Sequence, residues 1–424
     1  MFKSLHPNIR IRIYTSFMSR MIGSMIFPFM AVYFVQETNA TIAGVLMMIN
    51  IIIQFLASLY GGHLADRIGR KRMMVLGETA KTAAFIGMAA VNTPTYTSAA
   101  ITFAMLMIIS IASGMITPAQ EAMLIDVSTP ETRAYMYSIN YWATNLSLMI
   151  GLAIGGWLFQ DYMFQLLLGL VVMSVITLVI TRAFIQETYT VSSAMKQKSR
   201  LGLKSLFESY RSVSKDTAFL LFVLSGIAIL SLEFQRSNYL TVRLEKDITE
   251  MGFSIFSFDF SLDGLRLVSL LTVENTLLIV LFTGLVTKLI KGRNERLVMY
   301  IGFVLFGLGF AMMAVSNNPF LLVTAVLILS IGELMYVPTR QTMLADMVDD
   351  TKRGTYMAFH GFVFQFGKLI GAGGIIVGEA VGQYAMGISY ILLTILGILF
   401  CEMARRQRFT SLGRTAVKEK SKLI

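Results

Sequence analysis

The chain alternates between long apolar runs and short polar connections from one end to the other. Each run is about 20 residues long, enough for a helix to cross a hydrocarbon core about 30 Å thick. A signal peptide would supply only one such run near the start, so it does not account for the repetition. Polar residues interrupt the seventh and eighth runs. The pattern predicts an all-α membrane protein with twelve transmembrane helices, at 12–35, 41–60, 73–92, 98–121, 135–158, 163–184, 217–240, 265–287, 297–315, 319–339, 355–379 and 384–404.

Basic residues are unevenly distributed over the connections. On one side of the predicted membrane they occur in 3–10, 67–72, the loop around Arg133, 185–216, 288–296, 340–353 and 405–422. The opposite connections contain no Lys or Arg near 36–40, 93–97, 159–162, 316–318 and 380–383, and only Lys246 breaks the rule. Cytoplasmic loops carry the excess of Lys and Arg. We therefore predict that both termini are cytoplasmic.

Composition excludes several functional classes. Hydrophobic residues make up 55% of the chain and charged residues only 14%, against about 25% charged in a typical soluble domain. The net charge of +11 does not indicate nucleic-acid binding, because the basic residues lie between apolar runs. A single cysteine, Cys401, and three histidines leave little material for a disulfide or a structural metal site. No cofactor is expected.

The chain is predicted to consist of two related halves. The basic, Ser-rich segment 185–216 separates an N-terminal half (1–184) from a C-terminal half (217–404), and a basic tail follows at 405–424. The stretch 118–151 aligns with 338–371 at a constant offset, which superimposes Met123, Leu124, Asp126, Arg133 and Gly151 on Met343, Leu344, Asp346, Arg353 and Gly371. Duplicated six-helix halves around a midplane substrate site are a known transporter plan.

The connection between the second and third spans carries the clearest motif. It reads Gly61-Gly62-His63-Leu64-Ala65-Asp66-Arg67-Ile68-Gly69-Arg70-Lys71-Arg72. This resembles the signature loop of the major facilitator superfamily. Glycine permits a tight turn, and a carboxylate such as Asp66 can pair with an arginine or cap a helix N-terminus. The alternative interpretation is a basic loop that only sets topology.

A second motif pairs Asp126 with Arg133 and repeats as Asp346 with Arg353. A carboxylate at a helix end, one loop away from an arginine, suits a latch between helices that opens and closes with a gate. The alternative is surface charge at the lipid headgroups.

In the fifth span, Gly151 and Gly155 form a small-xxx-small pair that lets helices pack closely.

Charged residues inside the predicted spans need a partner or a water-lined cavity, because each costs about 2.5–3.5 kcal/mol at the bilayer centre. They are Arg20, Glu78, Lys81, Glu233, Arg236, Glu274, Glu333 and Lys368. Glu78 and Lys81 are three residues apart and can pair on one helix face, and Arg236 can neutralise Glu233 in the same way. Glu333 has no basic residue near it in its span. It is therefore the candidate for a proton or cationic-substrate site, with a satisfied structural carboxylate as the alternative.

Together these motifs resemble the LmrP-type multidrug antiporters of Gram-positive bacteria. The residues that carry the resemblance are the Asp66 loop, Met123-Leu124-Ile125-Asp126, the run from Asn140 to Ser147, Gly156-Trp157-Leu158-Phe159, and Gly332-Glu333 with Tyr336 and Pro338. The resemblance implies proton-coupled export of lipophilic, often cationic compounds. It also implies that Asp66 and Asp126 serve gating and that Glu333 serves the proton or substrate site. We predict that the other residues of the Asp66 loop, Gly62, Arg67, Gly69 and Arg70, serve gating with them.

The sequence departs from that family pattern at two places, and two other residues are candidates to replace the missing carboxyl groups. Asn140 stands where the family has a titratable aspartate, so a protonation step expected there is missing. A second family carboxylate in span seven is replaced around Ser237-Asn238, and Glu233, one helical turn earlier, is a substitute for it. His360 occupies the place in span eleven that corresponds to Asn140 and is another candidate titrating group. A packed polar histidine is an equal alternative.

The predicted function is secondary active transport in a bacterial plasma membrane, with proton-coupled drug efflux by alternating access as the first hypothesis. Its partners would be small lipophilic or cationic substrates, protons and membrane lipids, and we expect a monomer. A symporter, or a lipid or peptide carrier of the same fold, remains open, as does a transport-like sensor without net flux. The chain has no G-x-x-x-x-G-K-[ST] loop, so an ATP-driven pump is not expected. No nucleophile–base set indicates an enzyme.

Overall fold

The computed structural model describes residues 5–128, 130–188, 211, 213–248, 251–255, 258–290, 292–348 and 353–420, and these fold almost entirely into helices. The first six helices are α1 (Pro7–Glu37), α2 (Ala40–Ile68), α3 (Arg70–Ala90), α4 (Ala99–Val127), α5 (Pro130–Leu158) and α6 (Met163–Phe184). The later ones are α7 (Thr217–Gln235), α8 (Thr241–Asp247), α9 (Gly264–Ile290), α10 (Glu295–Val315), α11 (Pro319–Met347), α12 (Arg353–His360) and α13 (Phe362–Lys420). Two antiparallel hairpins join helices: β1 (Asn92–Thr93) with β2 (Tyr96–Thr97), and β3 (Met251–Ile255) with β4 (Phe258–Leu262).

Each predicted span lies, to within two residues at its ends, within one of these helices or within two consecutive ones. Among the described residues, nine helices are long and apolar enough to cross a membrane. One of the nine, Phe362–Arg408, covers the last predicted span and most of the eleventh, and the chain turns between them at Gly382, where φ is 80°. The remaining two spans are α3, which carries Glu78 and Lys81 in its middle, and α5, whose shorter apolar part is Trp142–Leu158. The all-helical membrane fold is confirmed.

Polar side chains fix where several helices begin. Asn39 accepts a hydrogen bond from the N–H of Ile42 (2.9 Å), and Asp216 accepts one from the N–H of Phe219 (3.0 Å). Asn318 caps α11 in the same way, just before Pro319 in its first turn. Such caps satisfy donors that have no partner inside the helix. In a hydrocarbon environment, this places helix ends at polar residues between the apolar runs.

The seventh predicted span is not one regular α-helix. It runs as α7 to Gln235, continues as a π-helical turn at Arg236–Leu240 and resumes as α8. Asn238 Nδ2 donates to the carbonyl oxygen of Phe234 at 2.8 Å. A side chain that bonds to the preceding backbone competes with the regular helical ladder, and single π turns are frequent at functional sites. The polar interruption in the sequence therefore corresponds to a real change in helix geometry.

Residue contacts divide the chain into two compact units. Unit 1 comprises Met1–Lys198 and Thr241–Val273. In it α5 packs closely on α1, because Gly151 lies against Ser24 and the carbonyl of Met21, and Gly155 lies against the carbonyl of Met25. The small-xxx-small pair thus serves close helix packing, as the sequence predicts.

Replacing Gly155 with alanine is expected to destabilise unit 1 by about 1–3 kcal/mol, the usual cost of overpacking a tight interior. The added Cβ would clash with the Met25 carbonyl oxygen, and backbone cannot move aside as a flexible side chain can. Thermal unfolding in detergent measures the change. Gly169→Ala is the matched control, because its added Cβ would have nothing within 4 Å. Equal unfolding temperatures for the two variants would contradict the prediction.

Unit 2 comprises Ser199–Leu240 and Glu274–Ile424. Here α13 packs on α7, with Gly371 against Phe234 and Gly374 against Gln235. Gly151 and Gly371 are equivalent in the internal alignment, and each lies against the first helix of its own half. The two sequence halves therefore use the same glycine for the same contact.

Candidate functional site

A polar cluster in unit 2 joins α7, α9 and α11. Asn275 of α9 is buried, and its Nδ2 donates to Ser330 Oγ at 2.8 Å and to Glu333 Oε2 at 3.2 Å. Its Oδ1 accepts a hydrogen bond from Arg236 Nη1 at 3.0 Å. Arg236 opens the π-helical turn that follows α7. One amide thus links a guanidinium on one helix to a carboxyl group on another.

Two carboxyl groups share this cluster. Glu233 and Glu333 are both half-buried. The charges of Glu233 and Arg236 both act on Glu333, and the charge of Arg236 acts on Glu233. Two carboxylates and one guanidinium leave a formal charge of −1 when all three are ionised. Uncompensated charge is costly inside a bilayer. The cluster is therefore electrically suited to take up a single positive charge, whether a proton or a cation. We call it the Glu333 cluster.

The other two predicted coupling residues, His360 and Asn140, have different surroundings. The His360 ring stacks on Phe222 in unit 2, with ring centroids 6.1 Å apart, and the Arg340 guanidinium also lies over Phe222, 4.5 Å from its ring centroid. Asn140 lies half-buried in unit 1, where its backbone carbonyl accepts a hydrogen bond from Thr144 Oγ1 at 2.7 Å. Of the four predicted coupling residues, the structure brings together Glu233 and Glu333.

The signature loop forms a second cluster, in unit 1. Gly69 separates α2 from α3 with φ at 98°. Glu187, which follows α6, accepts hydrogen bonds from the backbone N–H groups of Arg70 (3.0 Å) and Lys71 (3.1 Å) and so caps α3. The Arg70 side chain forms an ion pair with Asp126 at the end of α4. These contacts tie together one end of α3, α4 and α6. We call this arrangement the Arg70 cluster.

The outcome for the other predicted gating residues is mixed. Arg67 is exposed. The side chains of Asp66, Arg133, Asp346 and Arg353, and position Gly62, lie outside what the structure describes, so their gating roles stay predictions. Asp126, which the sequence suggested as a partner of Arg133, pairs with Arg70. Its second described contact is a hydrogen bond from Thr188 Oγ1 at 3.2 Å.

The pairing of Glu78 with Lys81 is confirmed. Lys81 Nζ lies 3.2 Å from Glu78 Oε2, and the Ser19 hydroxyl on α1 lies 3.4 Å from both side chains. Both charged residues are buried. Breaking a buried pair leaves an uncompensated charge and is strongly destabilising. The Glu78–Lys81 pair therefore stabilises the helix packing.

Replacing Gly69 with alanine is expected to destabilise the Arg70 cluster by about 1–3 kcal/mol, the usual cost of one strained backbone position. Two effects combine, because alanine rarely adopts a φ of 98° and because its Cβ would lie 2.6 Å from Glu187 Oε2. Gly292→Ala is the control, since Gly292 has a φ of 77° but nothing within 4 Å of an added Cβ. We expect Gly69→Ala to lower the unfolding temperature more than Gly292→Ala. Equal losses would show that the contact with Glu187 adds nothing.

Sequence reasoning missed two residues that organise these clusters. Glu187 lies in the segment that the sequence assigns to the basic linker, and no local pattern indicates that it caps α3, which begins 117 residues earlier. Asn275 was passed over as one of the polar residues that interrupt the eighth span. A buried amide needs hydrogen-bond partners, so an Asn within an apolar span was itself a signal.

Comparison with known proteins places these features in context. A family model described as Major Facilitator Superfamily matches residues 13–262 and 254–421. A Na(+), Li(+), K(+)/H(+) antiporter of Planococcus maritimus is 29% identical over 377 residues, which is 87% of this chain and 88% of that protein. The multidrug resistance protein MdtH of Blochmanniella floridana is 24% identical over 383 residues, or 88% of each chain.

Solved structures show the same architecture. A POT family transporter in complex with 5-aminolevulinic acid superimposes with a TM-score of 0.73 at 16% identity, covering 95% of this chain and 98% of the other. A peptide transporter POT in complex with sulfate gives a TM-score of 0.73 at 16% identity, with 94% of each chain covered. At this identity the likeness concerns the fold alone.

Proposed function

Because the chain belongs to the Major Facilitator Superfamily, we propose that this membrane transporter works as an antiporter that exchanges protons for monovalent cationic solutes. The family and the relatives are transporters and not enzymes. A secondary transporter takes its energy from an ion gradient, so the proposal needs no cofactor. In this proposal the protein acts in the bacterial plasma membrane with both termini in the cytoplasm.

One observation carries the proposal, namely the Glu333 cluster. With a formal charge of −1, it is neutralised by one proton or by one monovalent cation. Binding both would leave an excess positive charge, which the bilayer interior disfavours. Competition between a proton and a cation for one carboxyl group is the minimum requirement for obligatory exchange. Asn275 holds Glu333 and Arg236 in place through its two hydrogen bonds, so the site keeps its geometry in either state.

Two classes of cation fit this scheme. Lipophilic drug cations are the first candidate, favoured by the similarity to MdtH and by aromatic residues near the cluster. Tyr336, one turn after Glu333, lies against Phe303 and Phe306, with ring centroids 5.2 and 5.1 Å apart. Aromatic faces attract organic cations. Alkali metal cations are the second candidate, favoured by the similarity to the Planococcus maritimus antiporter and by the oxygen-bearing side chains of Glu333 and Ser330.

The test is cation-dependent proton flux in proteoliposomes with an acidic interior, followed with a pH-sensitive dye. Externally added sodium, lithium or potassium chloride should collapse the gradient if alkali cations are substrates, and tetraphenylphosphonium or ethidium should do so if drug cations are. N-methylglucamine chloride and protein-free liposomes are the controls. Collapse by one class and not the other identifies the substrate. Acidification of the lumen that accompanies solute entry would identify symport and contradict the proposal.

A further inference from the structure

A pocket of about 760 Å³ lies in unit 1, between the start of α3 and the end of α6. Its polar wall includes Lys71, Arg72, Arg182 and Glu187, and its apolar wall includes Val75 and Leu76. It is separate from the Glu333 cluster, which belongs to unit 2. The coupling scheme makes no use of it.

The pocket is positively charged. Three cationic side chains against one carboxylate leave a formal charge of +2. The carboxylate is that of Glu187, which already accepts two backbone hydrogen bonds at the start of α3. Within the part of the chain that the structure describes, no ion pair involves the side chains of Lys71, Arg72 or Arg182. The pocket is therefore suited to a dianionic or singly anionic phosphate group.

An apolar surface continues from this basic end along both helices. On α6, Arg182 ends a helical stripe formed by Val172, Val175 and Val179, which are 58%, 40% and 54% exposed. On α3, Leu76 follows Arg72 by one turn and is 61% exposed. Both helices coincide with predicted spans, so an exposed apolar stripe faces lipid tails. The cations thus lie where an apolar stripe meets the predicted cytoplasmic surface.

We propose that this pocket binds one anionic phospholipid of the cytoplasmic leaflet. Lys71, Arg72 and Arg182 hold the headgroup phosphate, and the acyl chains lie along Leu76 and the α6 stripe. Basic pockets at the cytoplasmic ends of membrane helices suit acidic headgroups, because that leaflet carries anionic lipid. A soluble phosphate would bind to the three basic side chains but would leave the apolar wall of the pocket uncovered. The bound lipid would lie next to the Arg70 cluster, because both involve Glu187.

Native mass spectrometry of the purified full chain, titrated with phosphatidylglycerol, phosphatidylethanolamine or phosphatidylcholine, tests the proposal. We expect phosphatidylglycerol to bind most tightly. Arg72→Gln and Arg182→Gln should each weaken its binding about fivefold, the usual contribution of one basic residue near an anionic surface. Neither variant should change phosphatidylcholine binding. Lys288→Gln, which removes an exposed basic residue near the end of α9, is the matched control. It should leave the binding of all three lipids unchanged.

Two further sets of variants distinguish binding of a lipid from binding of a free anion, and loss of charge from misfolding. Leu76→Ser keeps every charge but removes apolar surface. It should therefore weaken the binding of phosphatidylglycerol, while inorganic phosphate should compete for the pocket as it does in the wild type. Arg72→Lys with Arg182→Lys keeps the charges and should retain binding, which would show that the glutamine variants lose it through the missing charge and not through misfolding. Complete displacement of the lipid by millimolar inorganic phosphate would indicate a free-anion site and overturn the proposal. Equal binding of the three lipids, or glutamine variants that bind like the wild type, would also overturn it.

Discussion

Replacing Glu333 with glutamine is expected to reduce transport driven by a pH gradient to the level of protein-free liposomes. Glutamine keeps the size of the side chain and can still accept the hydrogen bond from Asn275 Nδ2, but its amide cannot titrate. The variant should fold, because the change removes a half-buried charge without opening a cavity. The measurement is gradient collapse in proteoliposomes after addition of the cation that the wild type transports.

Glu274→Gln is the matched control for this variant. Glu274 lies beside Asn275 in α9 and is half-buried, and it makes no hydrogen bond or ion pair with the described residues. Removing its charge should leave transport within about twofold of wild type, because Glu274 takes no part in the hydrogen bonds of the Glu333 cluster. If Glu333→Gln transports like the wild type, or if both variants lose transport equally, Glu333 does not carry the coupling.

Replacing Asp126 with asparagine is expected to lower the rate of transport about tenfold. The change removes the partner of the Arg70 guanidinium, whose side chain is only 11% exposed. Loss of one partner from a half-buried pair costs about 1–3 kcal/mol, mostly because the remaining charge stays desolvated. We propose that the Arg70 cluster stabilises one gate state, so that this energy appears as a shift between states. The rate of exchange in proteoliposomes measures it.

Two comparisons make the Asp126 prediction specific. Thr188→Val removes the hydroxyl that donates to Asp126 at 3.2 Å but keeps the ion pair, so its effect should be small. Exchanging the charges, with Arg70→Asp and Asp126→Arg in one chain, should restore part of the lost rate. A double variant no better than either single one, with all three well folded, would show that the pair itself does not set the rate.

Most of the fold could be predicted from the sequence, because hydrophobic length is a strong constraint in a bilayer. Every predicted span corresponds to helix in the structure. The exceptions are informative. The π-helical turn at Arg236–Leu240 depends on Asn238 bonding to the backbone of Phe234, and such local competition is not visible in an apolar–polar pattern. By contrast, the break at Gly382, where φ is 80°, lies within the connection 380–383 that the sequence predicts.

The site could be predicted only in part. Glu333 was identified because a carboxyl group without a basic neighbour in its own span is costly, and Glu233 was named as a substitute for a missing family carboxylate. Their proximity depends on how α7 packs within unit 2, which no local pattern reports. For the same reason the partners of Glu187 and Asn275 are not visible in the sequence, since each residue bonds to residues far away along the chain. Asp126 is predicted to pair with Arg133, and the structure pairs it with Arg70, so its gating role stays a prediction.

The most direct test of the account is proton release on cation binding. The purified wild-type protein, in weakly buffered detergent solution with a pH indicator, would be titrated with sodium chloride and separately with tetraphenylphosphonium chloride. If proton and cation compete for one carboxyl group, the transported cation should release about one proton per chain, and low pH should weaken cation binding reciprocally. Glu333→Gln should release none. Cation binding without proton release in the wild type, or equal release from Glu333→Gln, would contradict the account.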